Sequence, residues 1–232
     1  MQQTILITGA NRGIGLEMVR QYMEDGWKVL ACCRAPSAAE KLQEMASGAE
    51  DLVEIHALDV TDGAQISTLS ERLKDVPIDI LLNNAGVYGP KHSGFGGVDT
   101  EEWLKTFRVN AVAPLKMAEA FVGQVASGRR KVVATISSLM GSIADNGSGG
   151  GYIYRTSKAG ANMVMKSLAV DLKPRGIIAV ALSPGWVRTD MGGANAPTAP
   201  EESVAGLRRV LAQLGPEDSG KFFHYDGRAL PW

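Results

Sequence analysis

Tyr154 and Lys158 stand four residues apart in Tyr154-Arg155-Thr156-Ser157-Lys158. On a helix, residues i and i+4 share a face, so a phenol and an ammonium would point at one site. An unperturbed phenol titrates near ~10, too high for ready proton exchange at neutral pH. A neighbouring cation favours the phenolate, which is the tuning a general acid/base needs. The same spacing also fits an ordinary solvated helix face, so it needs support from elsewhere. Tyr152 has Thr156 four residues on and no lysine.

That support comes from polar residues at the ends of apolar runs. Ser137 and Ser138 end the run 131–136, shortly before Tyr154, and a hydroxyl there would hydrogen-bond a substrate oxygen. The two serines are rivals for this role. Asn110 lies inside a helical stretch, where an amide is disfavoured by propensity and needs partners if buried. It is a candidate for holding a water that passes protons to Lys158. After the run 177–182 come Ser183-Pro184-Gly185-Trp186-Val187-Arg188-Thr189, a turn that would bring Thr189 to a carboxamide.

The first apolar run, 4–8, leads into Gly9-Ala10-Asn11-Arg12-Gly13-Ile14-Gly15. Glycines allow a tight turn and close approach of backbone to a pyrophosphate, and the next helix aims its N-terminal N–H groups at that anion. The spacing is GxxxGxG, so its weight comes from the strand before it and the helix after it. The second run ends at Arg34, where an NAD site would place an acidic residue for the ribose 2′-hydroxyl. Arg12 and Arg34 together would clamp a 2′-phosphate, which favours NADP(H) over NAD(H). Both also read as solvated loop arginines. Asp59 and Val60 end the third run, with Asp59 either meeting an adenine amino group or capping the next helix. Asn83-Asn84-Ala85-Gly86 closes the fourth and suits backbone contact with a ribose, or structural support between strands.

These turns need elements to hold them. Strands are expected at 4–8, 28–33, 52–58, 78–82, 131–136, 177–182 and 221–225. Helices are expected at 14–25, 38–45, 61–73, 101–125 (long or kinked, with Pro114 inside), 154–172 and 201–214. Thr198-Ala199-Pro200-Glu201 reads as a capping box for the last helix. Alternating strands and helices predict an α/β fold, a doubly wound parallel sheet with helices on both faces. Its ligands would bind at the carboxyl ends of the strands, where strand order reverses. No linker interrupts the 232 residues, so residues 1–232 read as one domain.

Composition removes other classes. Net charge is −1, which leaves no electrostatic footprint for nucleic acid or an anionic membrane. No apolar run reaches the ~20 residues that span a bilayer, and the N-terminus reads as a strand and not a signal peptide. Cys32 and Cys33 read as packed thiols in a reducing compartment, hence cytoplasmic. His56, His92 and His224 form no ligand pattern, and no metal is expected.

The motifs TGANRGIG, NNAG, Asn110, ISS, YRTSK and SPGWVRTDM occur in the order and approximate spacing of the short-chain dehydrogenase/reductase family, which the chain resembles over essentially its whole length. CRAP, SSLMGSIADN, YRTSKAGAN and YDGRALPW are similar to the sniffer-like and C-factor-like carbonyl reductases of that family. The resemblance implies a Rossmann sheet of about seven strands and a homodimer or homotetramer. It implies a catalytic tetrad of Asn110, Ser138, Tyr154 and Lys158, acting on a small carbonyl or alcohol. Ser138 is favoured over Ser137 by the family's register. The cofactor would rest on Gly9, Asn11, Arg12, Gly13, Ile14 and Gly15, then Arg34, Asp59 and Val60. Further contacts would come from Asn84, Ala85 and Gly86, from Tyr154 and Lys158, and from Pro184, Gly185, Val187 and Thr189. Ser138 and Tyr154 are farther apart than usual for the family, because residues 145–151 form a glycine-rich loop, expected to be mobile and to border the substrate. Residues 190–200 form a short lid, which predicts an open pocket and broad carbonyl reduction. A dinucleotide-binding regulatory protein with incidental turnover is the alternative. An enoyl reductase fits less well, because its tyrosine and lysine are more widely spaced.

Overall fold

The computed structural model describes residues 2–90 and 94–232; His92 lies outside them. Among the described residues seven strands form one parallel sheet: β1 (Thr4–Thr8), β2 (Lys28–Cys33), β3 (Val53–Ala57), β4 (Ile80–Asn83), β5 (Val132–Ile136), β6 (Ile178–Ser183) and β7 (Phe222–His224). Their order is β3-β2-β1-β4-β5-β6-β7. Successive side chains of a strand point to opposite faces, so each strand feeds two cores. Ile5, Ile7, Val29, Ala31, Val132 and Val180 face one side, under α1 (Gly13–Glu24), α2 (Glu40–Ser47) and α7 (Pro200–Gln213). Leu6, Leu30, Leu81, Val133 and Ala179 face the other, under α3 (Gly63–Arg72), α5 (Ala113–Ser127) and α6 (Tyr152–Asp171). Each fully buried Leu, Ile or Phe contributes about 1.5–3 kcal/mol of transfer free energy. The interior strands therefore carry no polar alternation.

The expected elements are present with moved edges. A 3-10 turn over Pro36–Ala38 delays α2 to Glu40. Asp62 caps α3, accepting from the N–H groups of Ala64 and Gln65. The expected helix at 101–125 is α4 (Thr100–Phe107), a π turn over Arg108–Val112, and α5. Pro114 has no N–H to give the carbonyl of Asn110 four residues back, so a regular α-helical ladder cannot run through this point. The capping box before α7 is not formed: Ala199 is the N-cap and makes no side-chain bond. Thr198 is instead bridged to Val187, and its N–H donates to the carbonyl of Trp186. Cys32 and Cys33 are free and buried. Among the described residues no helix is long and apolar enough to cross a membrane, and no three His, Cys, Asp or Glu side chains gather as a metal site.

Candidate active site

Because every strand is parallel, the turns after β1, β4, β5 and β6 open at one end of the sheet. Strand order reverses between β1 and β4, which leaves a crevice there. Gly9 and Gly13 take positive φ (65° and 54°) in the first turn, and a Cβ on Gly9 would fall 2.9 Å from the Cα of Ala85. Gly15 is tighter, with its would-be Cβ 2.2 Å from the Gly9 carbonyl oxygen and 2.5 Å from Asn84 Nδ2. Only glycines let α1 approach the β4 loop this closely. The N-terminus of α1 has no side-chain cap and no acidic residue in its first turn. Such an uncapped terminus, reached through glycines, fits the pyrophosphate of a dinucleotide.

The β4 turn is held by hydrogen bonds. Asn84 Nδ2 donates to the carbonyls of Thr8 and Gly9, and Thr8 Oγ1 accepts from the N–H groups of Asn84 and Ala85. The side chain of Asn84 thus supports the strands, while Gly86 keeps only backbone toward the site. A Cβ on Gly86 would lie 3.3 Å from Asn110 Oδ1 and 3.5 Å from Lys158 Nζ. Thr189, beyond β6, packs its methyl 3.4 Å from the would-be Cβ of Gly13 and receives the N–H of Gly192 on its Oγ1.

Arg12 and Arg34 are differently engaged. Arg12 pairs with Asp190 across the cleft (3.2 Å), both being well exposed. Arg34 is also exposed, and it lies with Arg108 close enough to Asp59 to help hold that carboxyl below its usual range. The main cause of that shift is the Thr61 N–H bonded to Asp59 Oδ1. Arg108, which sequence reasoning passed over, donates to the Thr61 carbonyl. Arg34 and Arg108 thus both lie near Asp59 at the carboxyl ends of β2 and β3, where an added phosphate would meet them.

Tyr154, Lys158 and Ser138 come together where the end of β5 faces the start of α6. Tyr154 and Lys158 are 8% and 4% exposed, and Lys158 Nζ is 5.7 Å from the Tyr154 ring centroid. Lys158 Nζ donates to the Ile136 carbonyl at 2.8 Å. The phenol was expected to be lowered by the lysine; instead it is pushed up to about 12, chiefly by burial, with the Ser138 hydroxyl opposing the shift. Burial also pulls Lys158 down to about 8. The two serines separate. Ser137 is 2% exposed and bonds Asn162 Oδ1 at 2.6 Å, whereas Ser138 stands beside the phenol and accepts the Met140 N–H. Tyr152 is exposed, and its carbonyl accepts the Thr156 hydroxyl.

Asn110 is buried within the π turn, with both amide hydrogens engaged and its oxygen accepting one bond. It accepts the Val87 N–H (2.9 Å), donates to the Val87 carbonyl (2.8 Å) and donates to Ser157 Oγ (2.9 Å). The side chain therefore has no free hydrogen to give a water, and its oxygen keeps one lone pair. Tyr88, the residue after Val87, stacks on Tyr154 with centroids 4.5 Å apart and planes at 27°. Sequence reasoning missed Tyr88, although its place directly behind NNAG-Val87 is the one available signal. The loop at 145–151 is tethered at Ser148, whose Oγ accepts from Arg155, and the segment before it is held by the Arg155 bond to the Met140 carbonyl and by the Ile143 and Ala144 N–H groups donating to the Trp232 main-chain oxygen. Trp186 and Met191 stand exposed along the short segment after β6, with the Trp186 indole N–H fixed to the Gly192 carbonyl.

Residues 3–199 match the family described as short chain dehydrogenase. C-signal of Myxococcus xanthus is 46% identical over 156 residues, 67% of this chain and 93% of that protein. The carbonyl reductase Sniffer of D. melanogaster superposes with a TM-score of 0.94 at 34% identity, covering 100% of both chains. The NADPH-bound carbonyl reductase from chicken fatty liver gives 0.92 at 34% identity, covering 100% of this chain and 99% of that one.

Proposed function

The chain belongs to the short-chain dehydrogenase family, and from that premise we infer that it is an NADP(H)-dependent reductase of ketones or aldehydes with Tyr154 as its acid/base. The observation that carries this reading is the convergence of Tyr154, Ser138 and Lys158 at the end of β5, beside the glycine turn. When bound, NADPH supplies the hydride that reaches the carbonyl carbon. Tyr154 Oη gives its proton to the carbonyl oxygen, so the product is a secondary or primary alcohol. A phenol held near 12 is fully protonated at neutral pH, as a proton donor must be. Ser138 orients the oxygen. Lys158, buried and held near 8, exchanges protons close to neutrality, and the family resemblance supports its holding the nicotinamide ribose. A relay water would be received by the main-chain carbonyl of Asn110, which Pro114 leaves without its helical N–H donor.

Arg34 and Arg108 around Asp59, with Arg12 at the glycine turn, favour a 2′-phosphate, and the NADPH-bound relative supports that choice. Free buried thiols agree with a reducing, cytoplasmic setting. A homo-oligomer is supported by Met163 and Val170, which present apolar surface outward on α6 while Leu168 on the same helix is core. A regulatory role for a nucleotide-binding protein remains the second reading, favoured by the 46% identity to a protein named C-signal. One experiment separates the two. Wild type and Tyr154→Phe are assayed with aldehydes, diketones and quinones, alongside fluorescence titration of NADPH and NADH. The expected result is NADPH-dependent turnover lost in Tyr154→Phe with NADPH binding retained. Binding without turnover in wild type would refute the enzyme reading, and tighter NADH binding would refute the cofactor choice.

A further inference from the structure

A helix fixes where Tyr154 starts but not where its hydroxyl ends, because the ring turns about two side-chain torsions. Something must hold the ring, and α6 alone offers Lys158 at 5.7 Å. The opposing wall comes from the loop after β4. Val87 is gripped at both of its polar backbone atoms by the Asn110 amide. Two residues on, Gly89 has φ of 75°, and a Cβ there would fall 2.7 Å from Thr106 Oγ1 on α4 and 3.1 Å from Ile153 Cγ2 on α6. Tyr88 therefore sits between two points that cannot slide, and its ring lies flat against Tyr154.

We propose that Tyr88 is a positioning residue for the proton donor: the loop pinned by Asn110 and Gly89 holds the Tyr88 ring as a backstop that keeps Tyr154 Oη beside Ser138. Offset stacked rings attract through their quadrupoles, so the contact is directional as well as apolar. It also gives the engaged Asn110 amide a task toward the site. Asn110 acts on Tyr154 through Val87 and Tyr88, from a π turn packed on the other side of the loop. The inference rests on Tyr154 being the proton donor, but the contact itself does not.

Tyr88→Leu and Tyr88→Phe test it in the full-length protein, with NADPH and benzaldehyde as probe. Misplacing a reacting group by a fraction of its reach costs rate more than binding. Tyr88→Leu is expected to lower kcat by about tenfold or more, with KM and NADPH affinity within about twofold of wild type. Tyr88→Phe keeps the ring and is expected to recover most of that loss. A rise in KM at unchanged kcat would make Tyr88 a substrate wall and overturn the proposal, as would a Phe variant as impaired as Leu. A second readout needs no turnover. The chain has five tyrosines, so ring-labelled tyrosine gives a simple NMR spectrum, with Tyr154 assigned by its loss in Tyr154→Phe. Its ring resonances are expected to carry a ring-current shift in wild type and Tyr88→Phe that vanishes in Tyr88→Leu. Unchanged Tyr154 resonances in Tyr88→Leu would overturn the proposal even if no carbonyl is reduced, in which case the reductase reading fails separately.

Discussion

Tyr154 and Lys158 are both pushed toward their neutral forms by the same cause. Each is buried, and among the described residues no carboxylate offsets that burial, so the charged form of each loses water and gains no counter-charge. For the phenol this secures a proton to donate. For the lysine it stores a cost. The unfolded chain holds the lysine proton up to about 10.5 and the folded chain only to about 8. Between those values the unfolded state binds more protons, so stability rises with pH across that window, while below about 8 the full cost of burying the ammonium is present. Lys158→Met removes this titration. Denaturant unfolding of the cofactor-free protein should then show a flatter rise in stability between about pH 8 and 10 than wild type shows. Parallel curves for the two proteins would mean that Lys158 is not held down by burial.

At the level of the elements, the break between α4 and α5 decides the site. A straight helix from 101 to 125 would carry Asn110 past the loop it now clamps. Pro114 withholds the N–H that Asn110's carbonyl would receive, and the Ala113 N–H reaches back five residues to Arg108. This single π turn lets a mid-helix amide meet Val87 on the β4 loop and Ser157 on α6 together. Asn110→Ala would strand the Val87 N–H and carbonyl in a partly buried place. The expected loss is about 1–3 kcal/mol of unfolding free energy, with a fall in kcat larger than any rise in KM. Urea unfolding and steady-state kinetics on the same preparation check both. Unchanged stability would show that water replaces the amide without cost.

Across the whole molecule, the reversal of strand order between β1 and β4 is where the two halves of the sheet share a site. Gly15 is a point of close approach, with α1 pressed on both the β1 turn and Asn84 of the β4 turn. An added methyl there meets backbone that cannot move without shifting a strand. Gly15→Ala should cost about 1–3 kcal/mol as overpacking and weaken NADPH by tenfold or more, because α1 must tilt away from the anion it serves. Fluorescence titration and chemical unfolding of the variant measure the two effects. NADPH affinity within about twofold of wild type would show that α1 need not pack so closely.

The order of strands and helices, the glycine turn, the Tyr154–Lys158 face and the polar ends of β4, β5 and β6 were legible in the residues, because each is a local pattern. Helical spacing, a strand's apolar run and a turn's glycines are set by neighbours a few positions away. Tertiary packing decided the rest. Ser137 and Ser138 are adjacent, and only the docking of α6 on β5 turns one to Asn162 and leaves the other by the phenol. Arg12 meets Asp190 from 178 residues away. The phenol's upward shift reflects the surfaces that bury it, which no spacing within α6 records. Tyr88 came against Tyr154 because Asn110, Thr106 and Ile153, all distant in sequence, leave its loop one place to lie. Local sequence sets which groups are offered at the strand ends; water exclusion and long-range contact set which of them face one another and in what state of charge.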